Sequence, residues 1–447
     1  MKMDFEKLIK KYTYSVKERE NKRRTIEEII SKISTQLEEK EVDASAILVG
    51  STARGTDLKN SDIDIFIQFD KKYEKQEMED IGLKIGFSTL SNGIAKYAEH
   101  PYVRGQFDGI TVDIVPCFKM NMNTKIISSV DRTPLHTKFL NSVMNEELKT
   151  QSILLKLFMK RLGIYGSELK TEGFSGYVIE LGIFYTGSFE KFLSMISESK
   201  GQIVIGPENS KFNSPVVLVD PVDQSRNAAA AVSERAMSIL RIASREYLSN
   251  PSIGLVDPEI RETANLKLEE RGTYIIVALM PKPDIIDDIL FPQLELMKKS
   301  LKKFIEINDF HEMNLFYTVE KEEIQFLIEL ESGLRPGVKI REGPPTDLIN
   351  SNSFYRKYVK EENTARGPYI KKDRIYAETF RPERSFRELL LKNLKSLNIG
   401  HHLNKIRDSV ILSEDVNEIK HMAVYSIFLG VCEPPYPPEN ISKNKRS

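Results

Sequence analysis

The chain has 447 residues, which suggests about three domains at ~150 residues each, and with 40% hydrophobic residues it can bury sizeable cores. Its 65 basic residues balance 65 acidic ones, which excludes a protein coated in positive charge but not a local basic groove, because fields are local. Its two cysteines, Cys117 and Cys432, lie far apart, against a disulfide framework or a Cys-based metal site.

The segment Met1 to Arg24 is charged and amphipathic, unlike a signal peptide. No apolar stretch is long enough to span a membrane, so a soluble cytoplasmic protein is expected. Residues 1–40 read as helix, with Ile26, Ile29, Ile30 and Ile33 spaced three and four apart among charges. Ala46-Ile47-Leu48-Val49 is a strand-type run stopped by Gly50. Gly50 permits a tight turn and a close approach to a ligand. Ser51 is expected to cap a following helix and, with nearby N–H groups, to meet a phosphate.

Asp62 to Phe69 reads as a strand. A period of two puts Asp62, Asp64 and Gln68 on one face and Ile63, Ile65 and Ile67 on the other. Two carboxylates side by side repel unless a cation sits between them, which suits Mg²⁺. Ile110 to Val115 is a second strand, and its single acid, Asp113, can reach the same metals from a neighbouring position. Two ions about 4 Å apart can clamp the attacking and leaving oxygens of an in-line displacement. A lone D-x-D pair would more often be a solvent-facing edge. The Gly-Ser turn upstream and Asp113 downstream favour a catalytic mixed sheet over residues 44–120.

Residues 145–250 read as mostly helical, with a stripe of Leu154, Leu155, Phe158 and Leu162. A second long helix is expected from near Asp223 through Ala228–Ala231 to Tyr247. That would put Arg226 in a first turn, where a basic side chain opposes the helix dipole. Arg226 either pairs with Asp220 or Asp223, a contact worth ~0–1 kcal/mol if exposed, or reads the edge of an incoming base with its guanidinium donors. Lys156 could be a solvated helix charge, and Tyr165 a packing residue beside Gly163 and Gly166. His136 follows Pro134 and reads as a loop residue.

Asn250-Pro251-Ser252 and Asp257-Pro258 mark a boundary. Beyond it, strands at 273–280 and 324–330 flank a helix near 288–305, the signature of a compact α+β unit. Glu342 to Thr346 reads as a loop. Residues 352–376 interleave Arg356, Lys357, Lys360, Arg366, Lys371, Lys372 and Arg374 with Phe354, Tyr355, Tyr358 and Tyr369. Such a stretch serves RNA-backbone contact and base stacking, or is a solvated surface over core aromatics. A Pro-rich polar tail follows from Pro434.

The pattern Gly50-Ser51 through Gly55-Thr56, then Asp62-Ile63-Asp64, then Val112 to Pro116, resembles the DNA polymerase β nucleotidyltransferase superfamily. Asp131 to Thr137, Leu155 to Gly166, Gly173 to Tyr177 and Asp220 to Asn227 resemble the archaeal (class I) CCA-adding enzymes, which are tRNA nucleotidyltransferases. The likeness runs in order to about residue 250 and more loosely beyond. It implies a multidomain α+β protein: a polymerase-β-like catalytic head over 1–145, a helical neck over 146–257, and a C-terminal body and tail over 258–447.

By that resemblance Asp62, Asp64 and Asp113 hold two Mg²⁺ ions. Gly50, Ser51, Arg54, His136 and Lys156 serve the triphosphate, Tyr165 lies by the phosphates or sugar, and Arg226 helps admit C and A. ATP, CTP and tRNA are the implied substrates. Arg356, Lys357, Arg366, Lys371, Lys372 and Arg374 are the implied RNA contacts, gripping the acceptor stem and TΨC arm; a homodimer stays open. The other readings are a poly(A) polymerase or oligoadenylate synthetase, a small-molecule nucleotidyltransferase, an enzyme adding only CC or only A, and a non-catalytic RNA-binding scaffold.

Overall fold

A computed structural model describes residues 5–97, 100–121, 128, 130–169, 171–207, 211–259 and 268–425, except for the side chain of Asp288. The expected tail from Pro434 lies outside them. The chain divides into two units, residues 1–262 and 263–432.

In the first unit the single helix expected over residues 1–40 is two, α1 (Phe5–Tyr12) and α2 (Val16–Glu39). Ser15 makes the break. Its hydroxyl accepts from the Glu18 N–H, and the Glu18 carboxylate accepts from the Ser15 N–H, a reciprocal cap that starts a new helix. Ile26, Ile29, Ile33 and Leu37 form the buried stripe. They share a core with Ile63, Ile65 and Ile67.

The strands are β1 (Ala44–Val49), β2 (Ile63–Phe69), β3 (Ser91–Tyr97), β4 (Pro101–Phe107) and β5 (Ile110–Phe118). Their order is β1-β2-β5-β4-β3. Only β2 and β5 run parallel; the other neighbours are antiparallel. The short helix α3 (Gly50–Arg54) follows β1, and α4 (Lys75–Thr89) covers the sheet between β2 and β3.

Then come α5 (Arg132–Val143), α6 (Glu146–Arg161), α7 (Gly176–Thr186) and α8 (Phe189–Glu198). Asn145, Ser175 and Ser188 cap the last three by accepting from the third residue on. Leu154, Leu155, Phe158 and Leu162 are buried as expected.

Next is a small sheet of β6 (Ile203–Ile205), β7 (Val216–Asp220) and β8 (Asp223–Asn227), which the helical reading missed. The helix expected from Asp223 begins only at Glu234, as α9 (Glu234–Ser249) capped by Ser233. Strand pairing decides this: Val219 pairs with Asn227. The Asn227 amide accepts from the Leu218 N–H at 2.9 Å and donates to the Val216 carbonyl at 2.8 Å. Those bonds outweigh the helix preference of the alanines that follow.

The second unit holds β9 (Tyr274–Pro281), α10 (Asp287–Ile307), β10 (Glu312–Val319) and β11 (Glu323–Leu330). The two expected strands and the helix between them are there, joined by β10, which the sequence reading passed over. A second sheet is made by β12 (Val338–Pro345), β13 (Thr364–Lys371) and β14 (Arg374–Phe380), with α11 (Ser351–Lys360) packed on it. The loop expected at 342–346 is mostly the end of β12, whose register shifts between Glu342 and Pro345. The helices α12 (Phe386–Asn393) and α13 (His401–Lys405) and the strand β15 (Ile411–Ser413) complete the first sheet's layer, with β15 pairing on β9. No helix among the described residues is long and apolar enough to cross a membrane.

Candidate active site

Local alternation sets up the centre of the site. Ile63, Ile65 and Ile67 are fully buried, so Asp64 and Gln68 are turned to the other face of β2. Asp62 stands one residue before the strand. The parallel register sets Asp64 directly opposite Asp113, and the antiparallel one sets Asp113 opposite Arg104. One row across three strands therefore reads Asp64, Asp113, Arg104.

Gly50 closes against this row. It has a φ of +75°, and a Cβ there would stand 2.2 Å from the Asp64 Oδ2, so only glycine fits. Ser51 is not a cap. It lies inside α3, whose cap position is Val49 and carries no side-chain bond, because the chain turns into the helix at Gly50 itself.

The acids are held uncomfortably. Burial, then the charges of Asp113 and Asp62, push Asp64 up to about 7. Burial pushes Asp113 up to about 6, with Arg104 opposing and Asp62 adding. The Asp113 Oδ1 is buried without a hydrogen-bond partner. Oxygen donors with an unmet lone pair and a surplus of negative charge suit a hard divalent cation. Among the described residues no three His, Cys, Asp or Glu side chains already converge as a ligand set. Arg104 instead bonds Asp62 and lies 3.7 Å from Asp113.

The Gly50–Thr56 turn is braced by buried ions on two sides. Lys22 donates to Asp57 at 2.9 Å and to Thr52 at 3.1 Å. On the other side Arg54 reaches Glu180 at 2.5 Å, and Lys156 reaches Glu180 at 2.6 Å and the Thr56 carbonyl at 3.0 Å. Thr56 also donates to Glu180. Burial works to raise the Glu180 carboxyl, but the charges of Lys156 and Arg54 outweigh it and hold it at about 2. Lys156 is 1% exposed, so it is not the solvated helix charge that sequence alone allowed. Lys22, Asp57 and Glu180 escaped the sequence reading. The one signal was their position: Asp57 directly follows the Gly55-Thr56 step, and Glu180 lies one helical turn beyond Tyr177.

Gly163, at φ +67°, and Gly166, at φ +129°, turn the chain after α6 and bring Tyr165 back to the end of Lys156. A Cβ on Gly176 would lie 3.3 Å from the Tyr165 hydroxyl and 3.6 Å from the Lys156 Cε. Burial pushes the Tyr165 phenol up to about 12.

His136 sits in α5 and is buried, not in a loop; Pro134 falls in the helix's first turn, where its missing N–H costs nothing. Its Nε2 is 2.8 Å from Asp220, and its ring stacks on Tyr177 at 3.9 Å. Burial chiefly lowers its pKa, against the pull of Asp220. Tyr177 donates to Asp220 at 2.9 Å, and Arg226 donates to it at 2.8 Å. Burial works to raise the Asp220 carboxyl, yet His136, the Val222 N–H and the Tyr177 hydroxyl hold it at about 2. Arg226 thus makes the ion pair that sequence allowed, but from β8 and not from a helix, so no dipole opposes it. Its side chain stays 37% exposed and lines a cavity of about 580 Å³ with Ser167, Ser175, Phe212, Ser225 and Asn227.

In the second unit Arg356 and Lys357 lie on α11, Arg366 and Lys371 on β13, Lys372 in the turn, and Arg374 on β14. All but Arg374 are exposed. Glu378 faces Arg366 and Glu342 faces Arg374, each at 3.3 Å. The aromatics divide: Tyr358 is core, Tyr355 is exposed, and Tyr369 stacks on Tyr376 at 5.9 Å.

Three family descriptions match consecutive stretches. They are a nucleotidyltransferase domain over 30–136, the second domain of tRNA nucleotidyltransferases over 151–256, and the C-terminal domain of CCA-adding enzymes over 271–414. The CCA-adding enzyme of Thermoplasma volcanium is 40% identical over 91% of this chain and 92% of its own. That of Picrophilus torridus is 40% identical over 95% of this chain and 100% of its own. That of Methanocaldococcus jannaschii is 36% identical over 82% of this chain and 85% of its own. With the motifs in order on a five-stranded sheet that carries the acids, the chain belongs to the archaeal CCA-adding enzymes, tRNA nucleotidyltransferases on a polymerase-β-like fold.

Proposed function

We infer that this protein adds C, C and A without a template to the 3′ end of tRNA, from CTP and ATP, with release of pyrophosphate. The observation that carries the reading is the row of Asp64 and Asp113, with Asp62 beside it, on one sheet face closed by Gly50.

Nucleotidyltransferases of this superfamily use divalent metals. We assign magnesium here, held by Asp62, Asp64 and Asp113. When bound it acidifies the attacking 3′-OH and neutralises charge at the phosphates. The chain's own residues position the reactants. Gly50 and Ser51 receive the triphosphate. Arg54 and Lys156, locked on Glu180 and Thr56, hold that turn rigid against the acids. Tyr165, whose hydroxyl lies near the end of Lys156, lies by the phosphates or sugar. Arg226 meets the incoming base from the wall of its cavity, and His136 with Tyr177 fixes the Asp220 that orients it.

Residues 1–145 act as the catalytic head, 146–257 as the neck that selects the base, and 258–447 as the body and tail. Arg356, Lys357, Arg366, Lys371, Lys372 and Arg374 meet the backbone of the acceptor stem and TΨC arm, by charge and not by sequence. The protein would work in the cytoplasm.

The test is single-nucleotide gel analysis with a tRNA lacking its 3′ end. Two additions with CTP and a third only when ATP is present are expected. A long ladder with ATP alone would make the protein a poly(A) polymerase, and no extension would overturn the reading.

A further inference from the structure

Arg104 belongs to none of the motifs, yet it stands in the acid row. It lies directly opposite Asp113 in the β4–β5 register, and Asp113 lies opposite Asp64. Its guanidinium bonds Asp62 and approaches Asp113 to 3.7 Å. Without it, Arg54 and Lys96 still act on Asp64 and Asp113 through their charge, but among the described residues no other cation forms an ion pair with the three carboxylates. With it, two of the three acids are already engaged by a positive charge.

We propose that Arg104 is a built-in counter-ion for the acid row, which competes with the divalent cation for Asp62 and Asp113 and gives them up when the cation binds. This rests on the reading of Asp62, Asp64 and Asp113 as the metal ligands. Carboxylate oxygens that face a guanidinium fork are not free for a metal, so loading is an exchange and not a simple addition. The geometry permits the exchange. Arg104 and Asp62 are each 38% exposed, so the guanidinium can turn into water without stranding a buried charge. Arg104 also lies on a strand, where its backbone bonds hold the register whatever its side chain does. In the empty site Arg104 keeps the acids from driving one another apart; in the loaded site it has left them.

The experiment is Mn²⁺ titration of the nucleotide-free protein by electron paramagnetic resonance, with thermal unfolding in EDTA and in Mn²⁺. Arg104→Gln should bind Mn²⁺ at least about threefold tighter, as expected when a half-exposed competing pair is removed. It should also melt lower in EDTA and recover more on adding Mn²⁺ than the native protein does. Arg104→Lys should fall between the two. Equal or weaker Mn²⁺ binding by a folded Arg104→Gln protein overturns the proposal. If that variant does not fold, Arg104→Lys decides alone, and native-like Mn²⁺ affinity in it counts against the proposal. Asp64→Asn separates the two readings. Unchanged Mn²⁺ binding in that variant removes the acid row as the metal site. Lost binding there, with Arg104→Gln unchanged, removes the counter-ion alone.

Discussion

Asp64 and Asp113 stand opposite each other on adjacent parallel strands, although 49 positions separate them in the chain. Neighbouring strands lie about 5 Å apart, so this register forces two carboxylates together on a half-buried face. Burial chiefly raises their pKa values, to about 7 for Asp64, with Asp113 and Asp62 adding, and to about 6 for Asp113, with Asp62 adding. An arrangement that costs stability in this way is useful only where a cation is brought in to relieve it.

Asp113→Ala should abolish nucleotide addition, by about a thousandfold or more, because charge stabilisation dominates phosphoryl-type transfer. Binding of tRNA should be nearly unchanged. Single-turnover extension and filter binding on the same preparation check both halves. A parallel loss of both in a folded protein would refute the assignment.

Without divalent cation, stability should depend on pH through the same acids. Their folded pKa values lie above the unfolded value near 3.8, so between about pH 4 and 7 the folded state binds more protons. Their contribution is therefore fully present below pH 4 and is lost as pH rises through 6 and 7. The loss is about 1–4 kcal/mol. Melting in EDTA at pH 5 and pH 8 should show a fall that Asp64→Asn reduces and that added Mg²⁺ reverses.

Lys156→Met should destabilise the protein by about 3–5 kcal/mol, because it leaves Glu180 buried with Arg54 as its one charged partner among the described residues. Denaturant unfolding measures this. Stability unchanged to within about 1 kcal/mol would mean that Arg54 alone satisfies the site.

Arg226→Ala should lose base choice more than speed. The expected change is about tenfold in the preference for C and A over U and G, on the scale of one or two hydrogen bonds. Arg226→Lys should not restore it, since an ammonium lacks the planar fork. Competition extension with all four nucleoside triphosphates reads the ratio.

The acid face of β2, the Gly50 turn and the buried stripe of α2 were legible in the sequence, because each follows from a local rule. Alternation places Asp62 and Asp64 against the isoleucines, and glycine alone adopts the turn. The order of the motifs along the chain likewise points to the family without the fold. Partner choice was not legible. Arg104 meets Asp62 across 42 positions, His136 meets Asp220 across 84, and Lys156 meets Thr56 across 100. Strand register and helix packing select those partners, and neither is encoded within a window of neighbouring residues. The same holds for β8, where pairing with β7 draws Asp223–Asn227 into a strand that its alanine-rich flank disguised as helix. Local periodicity thus determined which residues face which way, and only the tertiary structure decided which charges meet.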